Sequence, residues 1–300
     1  MIHDDDHTTS ASILDGRRVA TEIQKNIAQD ITTRINKGQR APGLAVILLG
    51  DDPASCIYVN AKRKACELLG FQSFAYNLPD TTTEKELVSL VNILNDTEEV
   101  DGILIQLPLP KHIHTPSIIE SIKPSKDVDG FHPYNFGKLA QGHPTLRPCT
   151  PFGIIKLLDF YQLDLVGQHA VIVGSSNIVG RPMALEFLNA KATVTVCHRS
   201  TQRLEQHIRS ANIIVVGTGT PDIIKSDWLN EKQIVIDVGM HRLNNGRVRG
   251  EIDFNTAKNK VAWITPVPGG VGPMTICMLL HNTLLAAQHA ENSTQHTSIQ

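Results

Sequence analysis

The sequence predicts an α/β protein built as two three-layer α/β/α domains, and three observations carry that reading. Short continuous apolar runs bounded by glycine, such as residues 44–49 between Gly43 and Gly50, suit strands buried on both faces. Those runs alternate with stretches of helical period, which argues for parallel strands joined by right-handed crossovers. At 300 residues the chain has length for two ordinary domains, and one proline- and glycine-rich stretch near its middle marks the join.

Taken in order, residues 1–11 are polar and read as a tail, as do about the last ten, 291–300. A first helix follows Asp15-Gly16, with Val19, Ile23, Ile27, Ile31 and Ile35 recurring every fourth residue, and Gly38 ends it. After the strand at 44–49, Asp52-Pro53 or Ser55 starts a second helix that Gly70 stops. A short strand near 74–78 comes next. Thr83 with Glu86 forms a capping box that opens a helix with Leu87, Leu90, Val91 and Leu94 inward. Gly102 to Pro108 reads as a buried strand running into a proline-rich loop. Residues 124–151 carry so many prolines and glycines that no regular element is expected there. Beyond them the rhythm restarts, with strands at 169–174, 193–197, 213–217, 234–238 and 261–265 and a helix at 181–189. A last helix from about 274 to 287 returns to the first domain, so the domains are expected at 12–150 with that helix (to about 290), and at 151–273.

Composition narrows the class. Apolar residues make up 41% and charged residues 19%, with a net charge of −2 and no long basic run, so neither nucleic acid nor an anionic membrane is indicated. No apolar stretch approaches membrane-spanning length. An acidic start at Asp4-Asp5-Asp6 is unlike a signal peptide, which points to the cytoplasm. Five cysteines with no C-x-x-C pair read as reduced thiols. Thirteen histidines include no H-E-x-x-H, so no metal site is expected.

The residues that carry chemistry begin with Lys62. Counted at about 100° per residue, it shares a face with Tyr58, Ala65, Leu69 and Cys66, inside an apolar stripe. Such a lysine either snorkels to water or, held in an apolar pocket, loses its proton easily enough to act as a base. Gln106 ends a parallel strand, where α/β sheets place their ligands, or it caps a loop. Asp129 beside Gly130 offers a carboxylate or simply forms a turn, and Asp127 could do either job.

In the second half, Ala170 to Pro182 reads as strand, tight loop and helix start, a dinucleotide-binding arrangement of Rossmann type with Gly174 first. Ser176 and Val179 stand at the second and third glycine positions, and Gly180 comes one place later, so the loop alone is a weak fingerprint. Where an acidic residue would meet a ribose hydroxyl, the chain has His198, Arg199 and Ser200. A cation and a hydroxyl suit the extra phosphate of NADP, although a solvated strand-end arginine looks the same in sequence.

Several motifs occur together and in order: Leu14-Asp15-Gly16, Tyr58 with Lys62 and Lys64, Gln106 to Pro110, Lys126 to Pro133, Pro148 to Gly153, Gly174 to Pro182, Asp237 to Gly239, and the decapeptide Pro266 to Thr275. In them the chain resembles the bifunctional methylenetetrahydrofolate dehydrogenase/methenyltetrahydrofolate cyclohydrolase family. The resemblance implies a cleft between the domains and a catalytic Lys62 assisted by Gln106. It implies that Tyr58 stacks near the pterin, Asp129 holds the pterin ring, and Leu107, Pro268 and Gly269 line the folate pocket. On the resemblance NADP would meet Gly174, Ser175, Ser176, Met240 and Thr275, to which the loop and strand-end readings add Val179, Gly180, His198, Arg199 and Ser200. It implies tetrahydrofolate derivatives as substrates and a homodimer. The chain departs from the family at Ser175, where some members have arginine, at Met240 for isoleucine, and at Glu251 for aspartate. A shikimate-type dehydrogenase and a non-catalytic folate- or nucleotide-binding module are the competing readings, and the decapeptide and the intact Tyr58, Lys62, Gln106 and Asp129 argue against them.

Overall fold

The structure, a computed structural model, describes residues 10–297 apart from residue 244. The chain runs β1 (Ser12–Ile13), α1 (Gly16–Asn36), β2 (Gly43–Leu49), α2 (Pro53–Leu69), β3 (Gln72–Leu78), α3 (Glu84–Asp96), β4 (Gly102–Ile105), α4 (Thr115–Ser121), α5 (Pro133–Ala140) and α6 (Cys149–Phe160). It continues with β5 (His169–Val173), α7 (Gly180–Asn189), β6 (Thr193–Cys197), α8 (Leu204–Ser210), β7 (Ile213–Val216), β8 (Ile234–Asp237), β9 (His241–Arg242), β10 (Val248–Arg249), α9 (Phe254–Ala257), β11 (Trp263–Ile264) and α10 (Val271–Thr297).

Two compact units result. Within the described residues, one takes the chain up to Ala20 together with Thr150–Met274, and the other takes Thr21–Cys149 and the chain from Thr275 onward. The first holds a parallel six-stranded sheet in the order β1-β11-β8-β7-β5-β6. The second holds a parallel three-stranded sheet in the order β3-β2-β4. In each, a central strand (β5, β2) has its sequence successor on one side and the following strand on the other, so strand order reverses there. Ligands of α/β sheets bind beyond the carboxyl ends at such a reversal.

Both cores follow from the apolar runs. All seven residues of β2 are buried, and a leucine or isoleucine so enclosed contributes about 2 kcal/mol. Leu87, Val91 and Leu94 of α3 pack on that sheet with Ile103 and Ile105. In the six-stranded unit Val171, Val173, Ile214, Val216 and Val235 form the corresponding layer. The capping box at Thr83 and Glu86 is complete, and Asp52 caps α2 by accepting from the Ser55 N–H. Gly70 ends α2 at φ 80°, a left-handed geometry that glycine adopts without penalty.

Several expectations change. Ala11, expected in a tail, is 8% exposed and belongs to the core of the six-stranded unit, because β1 pairs with β11. That long-range pairing also draws residues 12–20 away from the unit they were expected to join. Residues 1–9 and 298–300 lie outside the described residues. The helix expected to stop near residue 290 continues to Thr297, and Glu291 forms a two-pronged ion pair with the buried Arg34. Ile35, expected inward, is half exposed. The stretch 124–151 is not wholly irregular. It contains α5, since Pro133 at the first helical turn lacks only an N–H that would be unpaired anyway, and His132 caps by accepting from the Tyr134 N–H. On α2 the buried stripe runs through Ser55, Val59, Lys62 and Cys66, while Tyr58, Ala65 and Leu69 are only half-buried and Leu68 is exposed. Lys62 therefore lies inside the stripe, which is centred nearer Val59 than Tyr58.

Candidate active site

Lys62 stands on the crossover helix between β2 and β3, and only 8% of it is exposed. Its ammonium donates to Gln106 Oε1 at 3.1 Å. Gln106 follows β4 directly, and its backbone N–H donates to the Ile47 carbonyl of β2 at 2.9 Å, which fixes it at the strand-order reversal. Its side-chain nitrogen donates to the Leu107 carbonyl at 2.7 Å, ahead of a cis Leu107-Pro108 bond. The amide is thus gripped at one end and turns its oxygen to the lysine. Tyr58 lies one helical turn before Lys62, and burial raises its hydroxyl above the ordinary value.

Asp127 and Asp129, indistinguishable as residue types, do different things. Asp127 is 1% exposed, and its carboxylate accepts from the Phe131 and His132 N–H groups and from Asn135 Nδ2 at 3.2, 2.8 and 2.9 Å. It is the turn former. Burial still pushes its carboxyl upward, and those three donors oppose the push. Asp129 is half-buried, and desolvation pushes its carboxyl up to about 6. The Lys62 charge pulls it down, the neighbouring Asp127 pushes it further up, and a hydrogen bond with the Cys149 side chain lowers it. Lys62, Gln106, Leu107 and Asp129 all lie in the three-stranded unit.

Two residues that the sequence reading did not single out support this group. Cys149 is buried, its thiol donates to the Val128 carbonyl at 3.2 Å, and burial beside Asp129 holds the thiol well above its ordinary value. Asn282 of α10 is 1% exposed and donates from one Nδ2 to the Val128 and Arg147 carbonyls at 2.9 and 2.8 Å. The only sequence signal for Cys149 was its place after Pro148 in a shared motif. Asn282 gave none, since an asparagine within a helix is ordinary.

The six-stranded unit brings other predicted residues to its own reversal. Gly174 ends β5 at φ 127°, and a Cβ there would stand 2.3 Å from the Gly217 carbonyl oxygen. At Gly180 a Cβ would stand 2.0 Å from the Gly174 oxygen. Only glycine permits this turn. Ser175 is half-buried and Ser176 exposed. The Val179 and Gly180 N–H groups already donate to Ser176 Oγ at 3.1 and 3.4 Å, so an anion would have to draw on other donors. His198, Arg199 and Ser200 are exposed just past β6, and the turn is held by the Ser200 N–H donating to His198 Nδ1 at 3.2 Å. Met240 is 45% exposed after β8. Pro268, after a cis bond, and Gly269 at φ 116° belong to this unit, where the Arg17 N–H donates to the Gly269 carbonyl. Thr275 falls in the other unit, within α10.

Beside the loops after β7 and β8 lie two buried carboxylates. Asp237 accepts from the Gly239, Glu251 and Ile252 N–H groups, and burial raises it to about 6 against those donors. Glu251 is 1% exposed. Among the described residues no group of His, Cys, Asp and Glu is arranged to hold a metal.

Comparison with known proteins finds two family models along the chain. A model of the tetrahydrofolate dehydrogenase/cyclohydrolase catalytic domain matches residues 14–129, and one of the NAD(P)-binding domain of the same family matches residues 148–291. The chain is 58% identical over 277 residues to the bifunctional protein FolD of Legionella pneumophila (strain Corby), covering 92% of this chain and 98% of the relative. Among solved structures it is similar to the bifunctional FolD methylenetetrahydrofolate dehydrogenase/cyclohydrolase of Campylobacter jejuni, with TM-score 0.91 and 48% identity, over 94% of this chain and all of the other. The Trypanosoma brucei methylenetetrahydrofolate dehydrogenase-cyclohydrolase, complexed with NADP cofactor and inhibitor, matches with TM-score 0.90 and 36% identity, over 94% of this chain and 98% of its own.

Proposed function

The chain belongs to the tetrahydrofolate dehydrogenase/cyclohydrolase family, and from that premise we propose how its residues divide the work. The protein is an NADP-dependent methylenetetrahydrofolate dehydrogenase and methenyltetrahydrofolate cyclohydrolase. It oxidises 5,10-methylenetetrahydrofolate to 5,10-methenyltetrahydrofolate and hydrolyses that product to 10-formyltetrahydrofolate. The competing shikimate-type and non-catalytic readings fall with the family assignment.

Asp129 accepts from adjacent N–H donors of the pterin, for which one carboxylate offers enough lone pairs. Tyr58 stacks near the ring, and Leu107 lines the folate pocket. NADP⁺, when bound, supplies the hydride acceptor. The protein's part in that step is orientation. Gly174, Ser175, Ser176, Val179 and Gly180 would hold the dinucleotide, Arg199 and Ser200, with His198 beside them, would meet its 2′-phosphate, and Met240 would complete the contacts of this unit. In the hydrolysis Lys62 takes a proton from the attacking water. It then returns a proton to the pterin nitrogen that leaves as the five-membered ring opens. Gln106 holds the amine in line for both transfers. The observation that carries this reading is the buried Lys62 amine 3.1 Å from Gln106 Oε1, with Asp129 close enough to feel its charge.

The same reading makes the unit of residues up to 20 with 150–274 the nucleotide domain and the unit of residues 21–149 with the last helix the folate domain. A homodimer acting in the cytoplasm, without nucleic acid or membrane as partner, completes it. No helix among the described residues is long and apolar enough to cross a membrane. Light scattering that returned the single-chain mass of 32.9 kDa would remove the dimer. For the chemistry, absorbance is followed on 5,10-methylenetetrahydrofolate with NADP⁺ or NAD⁺, before and after acid. The expected result is NADP⁺-preferred reduction together with formyl product. Lys62→Arg should reduce cofactor without making formyl product, because guanidinium does not give up its proton at working pH. Formyl product from that variant at the normal rate would exclude Lys62 as the proton relay.

A further inference from the structure

We propose that Glu251 is a positioning residue for NADP: one buried carboxylate that ties the loop following β7, which walls the dinucleotide loop, to the loop following β8. The inference rests on the reading above that Gly174 to Ser176 and Met240 contact the nucleotide.

The geometry is a set of linked contacts. Both Glu251 oxygens accept from the Thr218 N–H, at 2.9 and 2.8 Å. One also accepts the Thr218 hydroxyl at 2.6 Å and the other the Gly219 N–H at 2.6 Å. Three donors of the loop after β7 therefore converge on one side chain that is 1% exposed. Immediately before Thr218, the Gly217 carbonyl oxygen lies 2.3 Å from where a Cβ of Gly174 would stand, so that carbonyl forms the wall beside the first glycine of the dinucleotide loop. The Glu251 stem serves the loop after β8. A Cβ on Gly239 would stand 2.3 Å from Glu251 Cγ, and the Gly239 N–H is itself held by Asp237 Oδ1 at 2.9 Å. Met240 follows directly. The Glu251 N–H donates to Asp237 Oδ1 at 3.1 Å, and Gly250 leaves no room for a side chain, its Cβ position lying 2.0 Å from Asp237 Oδ2. The bend before Glu251 is thereby fixed as well.

A carboxylate suits this task because it has only acceptors to offer, and every group that meets its oxygens from the loop is a donor. Glutamine is nearly the same shape, but it would turn an NH₂ toward backbone N–H groups and lose at least one bond to a charged acceptor, a loss worth roughly tenfold or more in binding. Glu251 touches neither the folate group of residues nor Lys62; it lies in the other unit.

The test uses the full-length enzyme and Glu251→Gln, Glu251→Asp and Thr218→Val. Expected for Glu251→Gln is a roughly tenfold or larger rise in KM for NADP⁺. Its kcat at saturating NADP⁺, and its hydrolysis of supplied methenyltetrahydrofolate, should stay near wild type. Glu251→Asp, which keeps the acceptors, should lie nearer wild type than the glutamine variant. Unchanged KM in a folded Glu251→Gln enzyme overturns the proposal, as does a parallel fall of both activities. If Glu251→Gln does not fold, Thr218→Val decides: it should raise KM for NADP⁺ in the same direction by a smaller factor, and an unchanged KM overturns the proposal. A wild-type enzyme that reduces no NADP⁺ would instead remove the functional reading on which this rests.

Discussion

In both units the chain leaves a central strand, pairs its next strand on one side and then crosses to the other. β2 in one unit and β5 in the other thus stand at a reversal of strand order. The materials placed there differ. At the end of β4, beside β2, stand side chains with protons to move or charges to offer: Lys62 and Gln106, with Asp129 held nearby. At the end of β5 stand backbone and glycine, and two carboxylates of that unit, Asp237 and Glu251, are buried behind the loops as hydrogen-bond acceptors. On the proposed reading the contrast follows from two jobs. Hydrolysis needs groups that change protonation during the reaction, whereas a dinucleotide that brings its own chemistry needs a shaped, close-fitting surface.

Damage on one side should therefore spare the other. The largest expected effect is from Gly174→Ala, which puts a methyl 2.3 Å from the Gly217 oxygen at a φ of 127°. NADP⁺-dependent oxidation should fall by roughly a hundredfold or more, while hydrolysis of supplied methenyltetrahydrofolate continues. Loss of both activities would break the division. Next is Asp129→Asn, expected to weaken folate binding about tenfold, because the amide has one acceptor oxygen where the carboxylate has two.

Asp129 also gives the comparison a pH dependence. Its carboxyl is raised from an ordinary 3.8 to about 6, so folate binding that needs the carboxylate should weaken as pH falls through about 6. Protein stability runs the other way. Between about pH 4 and 6 the unfolded group is ionised while the folded group still holds its proton, so stability falls as pH rises through that window. Thermal melts of wild type against Asp129→Asn should therefore diverge across that range, and parallel curves would contradict the raised carboxyl. Smaller again is Asn282→Ala, which leaves the Val128 and Arg147 carbonyls without their donor and should cost about 2 kcal/mol in denaturant unfolding. The smallest is Asp52→Ala, which removes the cap of the helix that carries Lys62, for about 1 kcal/mol.

What the sequence made legible follows the range of the interactions. The strands at 44–49 and 193–197, the capping box at Thr83 and the stop at Gly70 are set by neighbours a few residues apart, and all were readable. Lys62 was readable because a charge inside an apolar helical stripe is a local contradiction. The order of Asp127 and Asp129 was not, since their difference lies in which one meets the N–H groups of residues 131 and 132. α5 was hidden because Pro133 and Gly137 look like breakers unless the proline is known to sit in the first turn. The pairing of β1 with β11 joins residues some 250 apart and left no trace in either segment. Glu251 was visible only as a departure from the family pattern. Its meaning depends on a loop 33 residues earlier in the chain.

The most direct test is Lys62→Met, assayed on one preparation for NADPH formation from 5,10-methylenetetrahydrofolate and for hydrolysis of supplied methenyltetrahydrofolate. Methionine keeps the apolar stem and removes the amine, so binding should persist. The expected result is continued NADPH formation with hydrolysis reduced by about a hundredfold or more, the usual contribution of a positioned acid-base group. Hydrolysis at the wild-type rate would contradict the assignment of the proton transfers to this lysine, and with it the division of labour between the two units.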